Sequence, residues 1–94
     1  MKLVKEINLD GTAQYFNAKS FSKTYFSKVS NHTYIVYVEF DSNKTIKLNT
    51  TPVHLSKANY LQHKFLNLLL DAAVRVINVD AFDGGLVDGK FHVY

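Results

Sequence analysis

The chain has 94 residues, which suits one domain with a thin core, because a chain of this size buries about 60 to 68 per cent of the surface it exposes when unfolded. Hydrophobic residues make up 47% and charged residues 20%, a balance typical of globular rather than disordered proteins. The sequence contains no cysteine, which excludes disulfides, thiol nucleophiles and zinc sites with cysteine ligands. We therefore expect a single domain over residues 1–94.

The net charge is +3 and the pI about 9.2, and the positive excess lies in residues 1–50. Residues 11–30 hold three lysines and no acid, so this segment is where an anionic partner would bind. The N-terminus has no apolar run of signal-peptide length, and the most apolar segment, residues 65–79, is interrupted by Asp71 and Arg75. The sequence predicts a cytoplasmic protein with no membrane-spanning segment.

The first element is a strand, because residues 3–9 alternate between a face with Leu3 and Ile7 and a face with Val4. Asp10 and Gly11 form a tight-turn dipeptide, so residues 12–18 are predicted to be the hairpin partner. Residues 20–30 fit either a helix or a strand. We favour a strand from about residue 23, since Thr, Tyr, Phe and Val dominate the segment.

Residues 33–41 give the clearest strand signal, with alternate residues on a common apolar face. That face consists of Tyr34, Val36, Val38 and Phe40. A turn at residues 42–43 leads into a hairpin partner over residues 44–49. Pro52 then stops the sheet.

A long helix is predicted from Lys57 to Asn78 or Val79, with Ser56 as its N-cap. Polar residues recur at helical spacing along it: Lys64, Asn67, Asp71, Arg75 and Asn78. The β-branched residues from Val74 onward could instead begin a strand. We favour the helix because Asp71 and Arg75 would form an i, i+4 ion pair.

The last element is a short strand over residues 90–94, after a turn at residues 83–85. The predicted fold is α+β: an antiparallel sheet of four to five strands, one long helix in the C-terminal half packed across it, and the short terminal strand rejoining the sheet.

No catalytic, metal or cofactor motif is found. Asp80, Asp83 and Asp88 lie near glycines but do not match a calcium loop. The four histidines are scattered, and no Gly-x-Ser-x-Gly or glycine-rich phosphate loop occurs. We therefore predict that the chain is not an enzyme and holds no metal or cofactor.

The helix would be apolar around most of its circumference. If Leu61, Phe65, Leu68, Ala72 and Val76 face the sheet, the flanks left exposed are Leu66, Leu69, Leu70, Ala73 and Ile77. An apolar patch of that size is rare on a monomer, which predicts a homodimer or a protein partner. The favoured function is a non-enzymatic protein-interaction module that acts by occupying a partner's surface. A cysteine-free chain rich in Lys and Asn is typical of phages and other mobile elements, so it could be an accessory or inhibitor protein.

The alternative function is binding of single-stranded nucleic acid. The acid-free segment interleaves aromatic rings, which can stack on bases, with lysines, which can contact phosphates. The residues of this platform would be Tyr15, Phe16, Lys19, Lys23, Tyr25 and Lys28.

Overall fold

The structure is a computed structural model that describes residues 1–8, 10–41, 43–82, 86–87 and 90–91. In these residues the strands are Leu3–Ile7 (β1), Ala13–Asn17 (β2), Phe21–Ser30 (β3), Thr33–Phe40 (β4), Thr45–Lys47 (β5), Val76–Asn78 (β6), Leu86–Val87 (β7) and Lys90–Phe91 (β8). The α-helix is Leu55–Leu70 (α1), and short 3₁₀ helices lie at Ala18–Ser20 and Val79–Phe82. The predicted α+β class is confirmed.

The first sheet has the order β2-β1-β6. β1 and β2 form the predicted antiparallel hairpin, and Gly11 closes its turn with a φ of +89°, which only glycine adopts without cost. β6 pairs with the other edge of β1 and runs parallel to it. Val4 therefore lies between Phe16 and Ile77, and all three side chains face the core.

The second sheet has the order β3-β4-β5 and is antiparallel throughout. β3 confirms the strand interpretation of residues 20–30. The predicted apolar face of β4 is also confirmed: Val36, Val38 and Phe40 are almost fully buried, and Tyr34 packs against the same core. β5 is shorter than predicted: the Leu48 N–H still donates to the Val36 carbonyl at 2.9 Å, and beyond it the side chain of Asn49 makes the contacts with β4.

The core lies between the two sheets and α1, which packs mainly against β4. It is formed by Val4, Val36, Val38, Phe40, Ile46, Leu48, Ala58, Leu61, Phe65, Ile77, Val79 and Phe82. The rings of Phe16 and Phe40 stack with centroids 5.0 Å apart and so join the first sheet to the second. Leu61, Phe65 and Leu68 face the core as predicted, whereas Ala72 is exposed and lies beyond the helix.

Both predicted ends of the helix are wrong. At the start, Ser56 is not the N-cap: the ring Nδ1 of His54 accepts a hydrogen bond from the Ser56 backbone N–H at 3.3 Å. The helix ends at Leu70, and Asp71 is extended with φ −80° and ψ 112°. The Asp71 carboxylate then accepts a hydrogen bond from the Ala73 N–H at 2.9 Å, a local turn that competes with helix continuation.

The segment after this turn is strand β6, the alternative that β-branched Val74, Val76 and Ile77 had left open. These residues suit a strand, and β1 offers them an unpaired edge. The backbone pairing of β6 with β1 therefore decides the structure of this segment, although its polar residues recur at helical spacing. Val76, expected to face the sheet from the helix, is 46% exposed, and Ile77 is buried.

The terminal strand does not rejoin either three-stranded sheet. β8 pairs with β7 in a separate antiparallel hairpin. The turn predicted at residues 83–85, the end of the strand at residues 92–94, and Asp83 and Asp88 lie outside the described residues. Within the described ones, no helix is long and apolar enough to cross a membrane.

Candidate interaction surface

An open apolar groove of about 550 Å³ lies where the C-terminal end of α1 meets the first 3₁₀ helix and the start of β3. We call it the helix-end groove. It is lined by Lys2, Ala18, Lys19, Phe21, Leu66, Leu69 and Leu70. Leu70 is 84% exposed, so a large apolar side chain stands in water at the edge of an apolar hollow.

The floor of the groove is anchored to the core. The ring of Phe21 lies 6.0 Å from that of buried Phe65, and Leu69 also packs against the core. Leu70 follows Leu69 at the last helical position, where the helix turns its side chain away from the core. The groove is therefore a preformed feature of the packed chain rather than a gap in a loose loop.

Lys2 fixes one wall of the groove. Its ammonium donates three hydrogen bonds, to the carbonyl oxygens of Leu68, Leu69 and Asp71, at 2.6, 2.7 and 2.7 Å. A helix leaves its last carbonyls without intrahelical partners, and a cation there also complements the helix dipole. Lys2 thus caps α1 from a part of the chain more than 60 residues away.

The structure brings together three of the five residues predicted for the helix interface. Leu66, Leu69 and Leu70 all line the helix-end groove. Ala73 and Ile77 do not belong to it, which corrects the prediction. Ala73 lies in the turn after the helix, and Ile77 is a core residue of β6 that is only 1% exposed.

The residues predicted as a nucleic-acid platform are divided among several places. Phe16 stacks on Phe40 in the core, and Lys19 lines the helix-end groove. Tyr15 lies on the first sheet, and Lys28 is exposed near the end of β3. They do not form one continuous surface.

Two of the six residues do lie side by side on the outer face of the second sheet. Tyr25 stacks on Tyr37 with ring centroids 5.4 Å apart. The Lys23 ammonium lies 5.6 Å from the centre of the Tyr25 ring and 3.5 Å from a carboxylate oxygen of Glu39. The Tyr25–Tyr37 pair is accessible, but the neighbouring Lys23 already forms an ion pair with Glu39.

The outer face of the first sheet is a second exposed apolar surface. Ile7, Tyr15 and Val76 on it are 38%, 54% and 46% exposed. Lys5, in the middle of the central strand, lies opposite Tyr15 and Asn78, so its charge stands at the centre of this face.

A hollow of about 290 Å³ with both apolar and polar lining residues lies between β1 and β5, and Glu6 and Asp80 are among them. Burial raises the pKa of the Glu6 carboxyl, and the nearby Asp80 carboxylate raises it further, while Lys44 acts in the opposite direction. Asp80 also accepts a hydrogen bond from the Ile7 N–H at 2.9 Å, which gives it a structural role. Across the part of the chain that the structure describes, no three His, Asp or Glu side chains converge as a metal site would require.

Sequence reasoning missed Ala18, Phe21 and Lys2 as parts of the groove. Ala18 was expected to end the second strand of the first hairpin, and Phe21 lies in the segment 20–30 that the sequence left open between helix and strand. Nothing in the sequence distinguished Lys2 from the other lysines near the N-terminus, so its contact with the helix end could not be predicted.

Comparison of this chain with protein-family models, curated proteins and solved structures finds no match.

Proposed function

We propose that the chain is a non-enzymatic protein-interaction module that binds through the helix-end groove and acts by occupying a partner's surface. The observation that carries this proposal is Leu70, 84% exposed beside an apolar groove of about 550 Å³. Exposing apolar surface to water is unfavourable. A partner that covers this surface removes it from water, which favours association.

The rigidity of the groove supports the same proposal. Its floor is held by Phe21 on Phe65 and its wall by Lys2 on three helix carbonyls. A site that is already ordered loses little conformational entropy on binding. In composition the chain fits an accessory or inhibitor protein of a phage or other mobile element that acts in the host cytoplasm.

The test compares two Leu→Asp variants at opposite ends of α1. Leu70→Asp places a charge at the groove, whereas Leu55→Asp changes a 40% exposed leucine at the first helical position, where the helix dipole favours an acid. Tagged parent and both variants are used to capture proteins from a lysate of the native host, and the captured protein is then purified and titrated by calorimetry.

We expect the parent and Leu55→Asp to capture the same partner and Leu70→Asp to lose it, with affinity weakened about 30-fold or more, as for an interface hot spot. A partner that binds Leu70→Asp as tightly as the parent would place the interface elsewhere on the molecule.

A second candidate function is single-stranded nucleic-acid binding, favoured by the accessible Tyr25–Tyr37 stack. Lys47 lies opposite Tyr37 on the same face. Gel mobility shift with a labelled oligonucleotide should then show binding that weakens steeply with salt. Changing Lys23 and Lys47, the two lysines beside this stack, to Glu should abolish it, and no binding by the parent at low salt would reject this function.

A further inference from the structure

We propose that Glu6 and Gln14 form a contact in the first sheet that strengthens in weak acid, because the protonated Glu6 carboxyl donates a hydrogen bond to the buried Oε1 of Gln14. At neutral pH the Glu6 carboxylate cannot donate this bond and is repelled by Asp80, so the fold is less stable. The contact lies apart from the helix-end groove, and this inference goes beyond the proposed function.

Glu6 and Gln14 are neighbours across the first hairpin. They lie directly opposite each other in the antiparallel pairing of β1 with β2, and such partners have Cβ atoms about 5 Å apart on the same face of the sheet. Two residues earlier in β1, the pair of Val4 and Phe16 faces the core. Side chains alternate along a strand, so Glu6 and Gln14 lie on the same side of the sheet, and both are partly buried.

The amide oxygen of Gln14 lacks a donor. Oε1 is buried and accepts no hydrogen bond within the described part of the chain, which is unfavourable because a buried acceptor has given up its bonds to water. A charged carboxylate has only acceptors, whereas a protonated carboxyl carries one O–H donor. The neutral form of Glu6 therefore supplies the kind of group that the Gln14 oxygen needs.

The surroundings of Glu6 favour the same neutral form. Glu6 lines the hollow between β1 and β5 together with Lys47 and Asp80. Burial raises the pKa of its carboxyl, the Lys44 ammonium lowers it and the Asp80 carboxylate raises it, and the net effect is a rise. The two strands beside β1 in the sheet, β2 and β6, contain no charged residue. The charges that act on Glu6 therefore come from Asp80 and from the two lysines beside and within β5.

Asp80 is held in place beside β1. Its Oδ2 accepts a hydrogen bond from the Ile7 N–H at 2.9 Å, and its own N–H donates to Oδ1 of Asn78 at 3.2 Å. Two carboxylates that are fixed near each other disfavour the state in which both are charged. When Glu6 loses its proton, the repulsion acts on the bond that ties the second 3₁₀ helix to β1.

The raised pKa of Glu6 determines the direction of the pH dependence. A carboxyl with a higher pKa in the folded than in the unfolded chain contributes stability that is complete below the unfolded value, here 4.5, and is lost as the pH rises through the folded value. Asp10 has the opposite sign, because hydrogen bonds from Thr12 lower the pKa of its carboxyl below 3.8. Its contribution is lost only in stronger acid, so the interval from about pH 4.5 to 7 reports on Glu6 rather than Asp10.

The first test is a titration of the Glu6 carboxyl carbon by NMR. The chain has two glutamates, Glu6 and Glu39, so the glutamate signal that remains in Glu39→Gln is that of Glu6, and its midpoint should lie above 4.5. Gln14→Met keeps a side chain of similar length without the amide oxygen and should lower this midpoint. Asp80→Asn should lower it too, since an amide oxygen still accepts from the Ile7 N–H but carries no charge.

Asp71→Asn is the matched control for Asp80→Asn. The Asp71 carboxylate also accepts a hydrogen bond from a backbone N–H, but it lies at the end of α1, so this change should leave the Glu6 midpoint where it is. Circular dichroism should show that every variant is folded.

The second test is urea unfolding of the parent and Glu6→Gln at about pH 4.5 and pH 7, a range in which linkage to Glu6 operates. The variant is neutral at both pH values, and its amide can donate to Gln14. We expect its urea midpoint to exceed that of the parent at pH 7, by a margin that narrows at pH 4.5. A margin that is the same at both pH values would overturn the inference. So would a Glu6 titration midpoint at or below 4.5, or one that stays the same or rises in Gln14→Met.

Discussion

At the scale of single residues, Asn49 shows how one buried amide replaces part of a strand. It is 1% exposed. Its Oδ1 accepts from the Val36 N–H at 2.9 Å, and its Nδ2 donates to the carbonyls of Tyr34 and Thr51 at 3.2 and 2.9 Å. The side chain thus satisfies the edge of β4 just beyond the end of β5. From the sequence, Asn49 could be placed only at the end of a strand. Its hydrogen-bond partners Val36 and Tyr34 lie 13 and 15 residues away, so its neighbours in the sequence do not reveal them.

Asn49→Ala should destabilise the fold by about 3 kcal/mol, because a buried N–H left without a partner costs about 1 to 3 kcal/mol and the amide's other bonds are lost as well. Urea denaturation measures the loss. The matched control is Asn67→Ala at an exposed position of α1, which should change stability by less than about 0.5 kcal/mol. Equal stability of the two variants would mean that water replaces the amide without cost.

At the scale of elements, the sequence predicted strands well and the helix end poorly. Strict alternation in β1 and β4 left a single interpretation, because a shift by one residue would bury the wrong face. Between Val74 and Val79, polar residues at helical spacing coincided with several β-branched residues, which favour a strand. A tertiary contact decides between helix and strand, because β6 pairs with the free edge of β1. The sequence around residues 74–79 does not show that this edge is available.

The helix end also depends on Lys2, which closes α1 with three hydrogen bonds. Lys2→Met keeps an apolar stem but leaves those carbonyls to water. We expect a loss of about 2 kcal/mol and faster hydrogen exchange in the last turn of α1. Lys47→Met, at an exposed lysine of β5, serves as the control. Unchanged exchange in Lys2→Met would show that the helix end holds without this cap.

At the scale of the whole molecule, the candidate site was predictable only in part. Leu66, Leu69 and Leu70 could be named from the sequence because helical spacing separated them from the core residues Leu61 and Phe65. The opposite wall could not be named. It comes from residues about 45 to 65 positions earlier in the chain, and no local pattern says which segments meet the end of a helix.

The contact between the two sheets depends on the stacked rings of Phe16 and Phe40. Phe40 is 1% exposed and stacks on Phe16 across the interface between the sheets, so Phe40→Ala should cost about 3 to 5 kcal/mol. That is a large part of the total stability of a small domain, about 5 to 15 kcal/mol. The matched control is Tyr25→Ala, which removes an aromatic ring of the same sheet that is 39% exposed and stacked on Tyr37.

Thermal unfolding followed by circular dichroism should show Phe40→Ala melting more than about 12 °C below the parent. Tyr25→Ala should lower the melting temperature clearly less than Phe40→Ala, because the Tyr25 side chain is 39% exposed whereas that of Phe40 is 1% exposed, and its stacking on Tyr37 contributes about 1 kcal/mol. If the two variants instead melt together, the contact between the sheets carries no more free energy than a surface stack, and the fold would depend on α1 packing against β4.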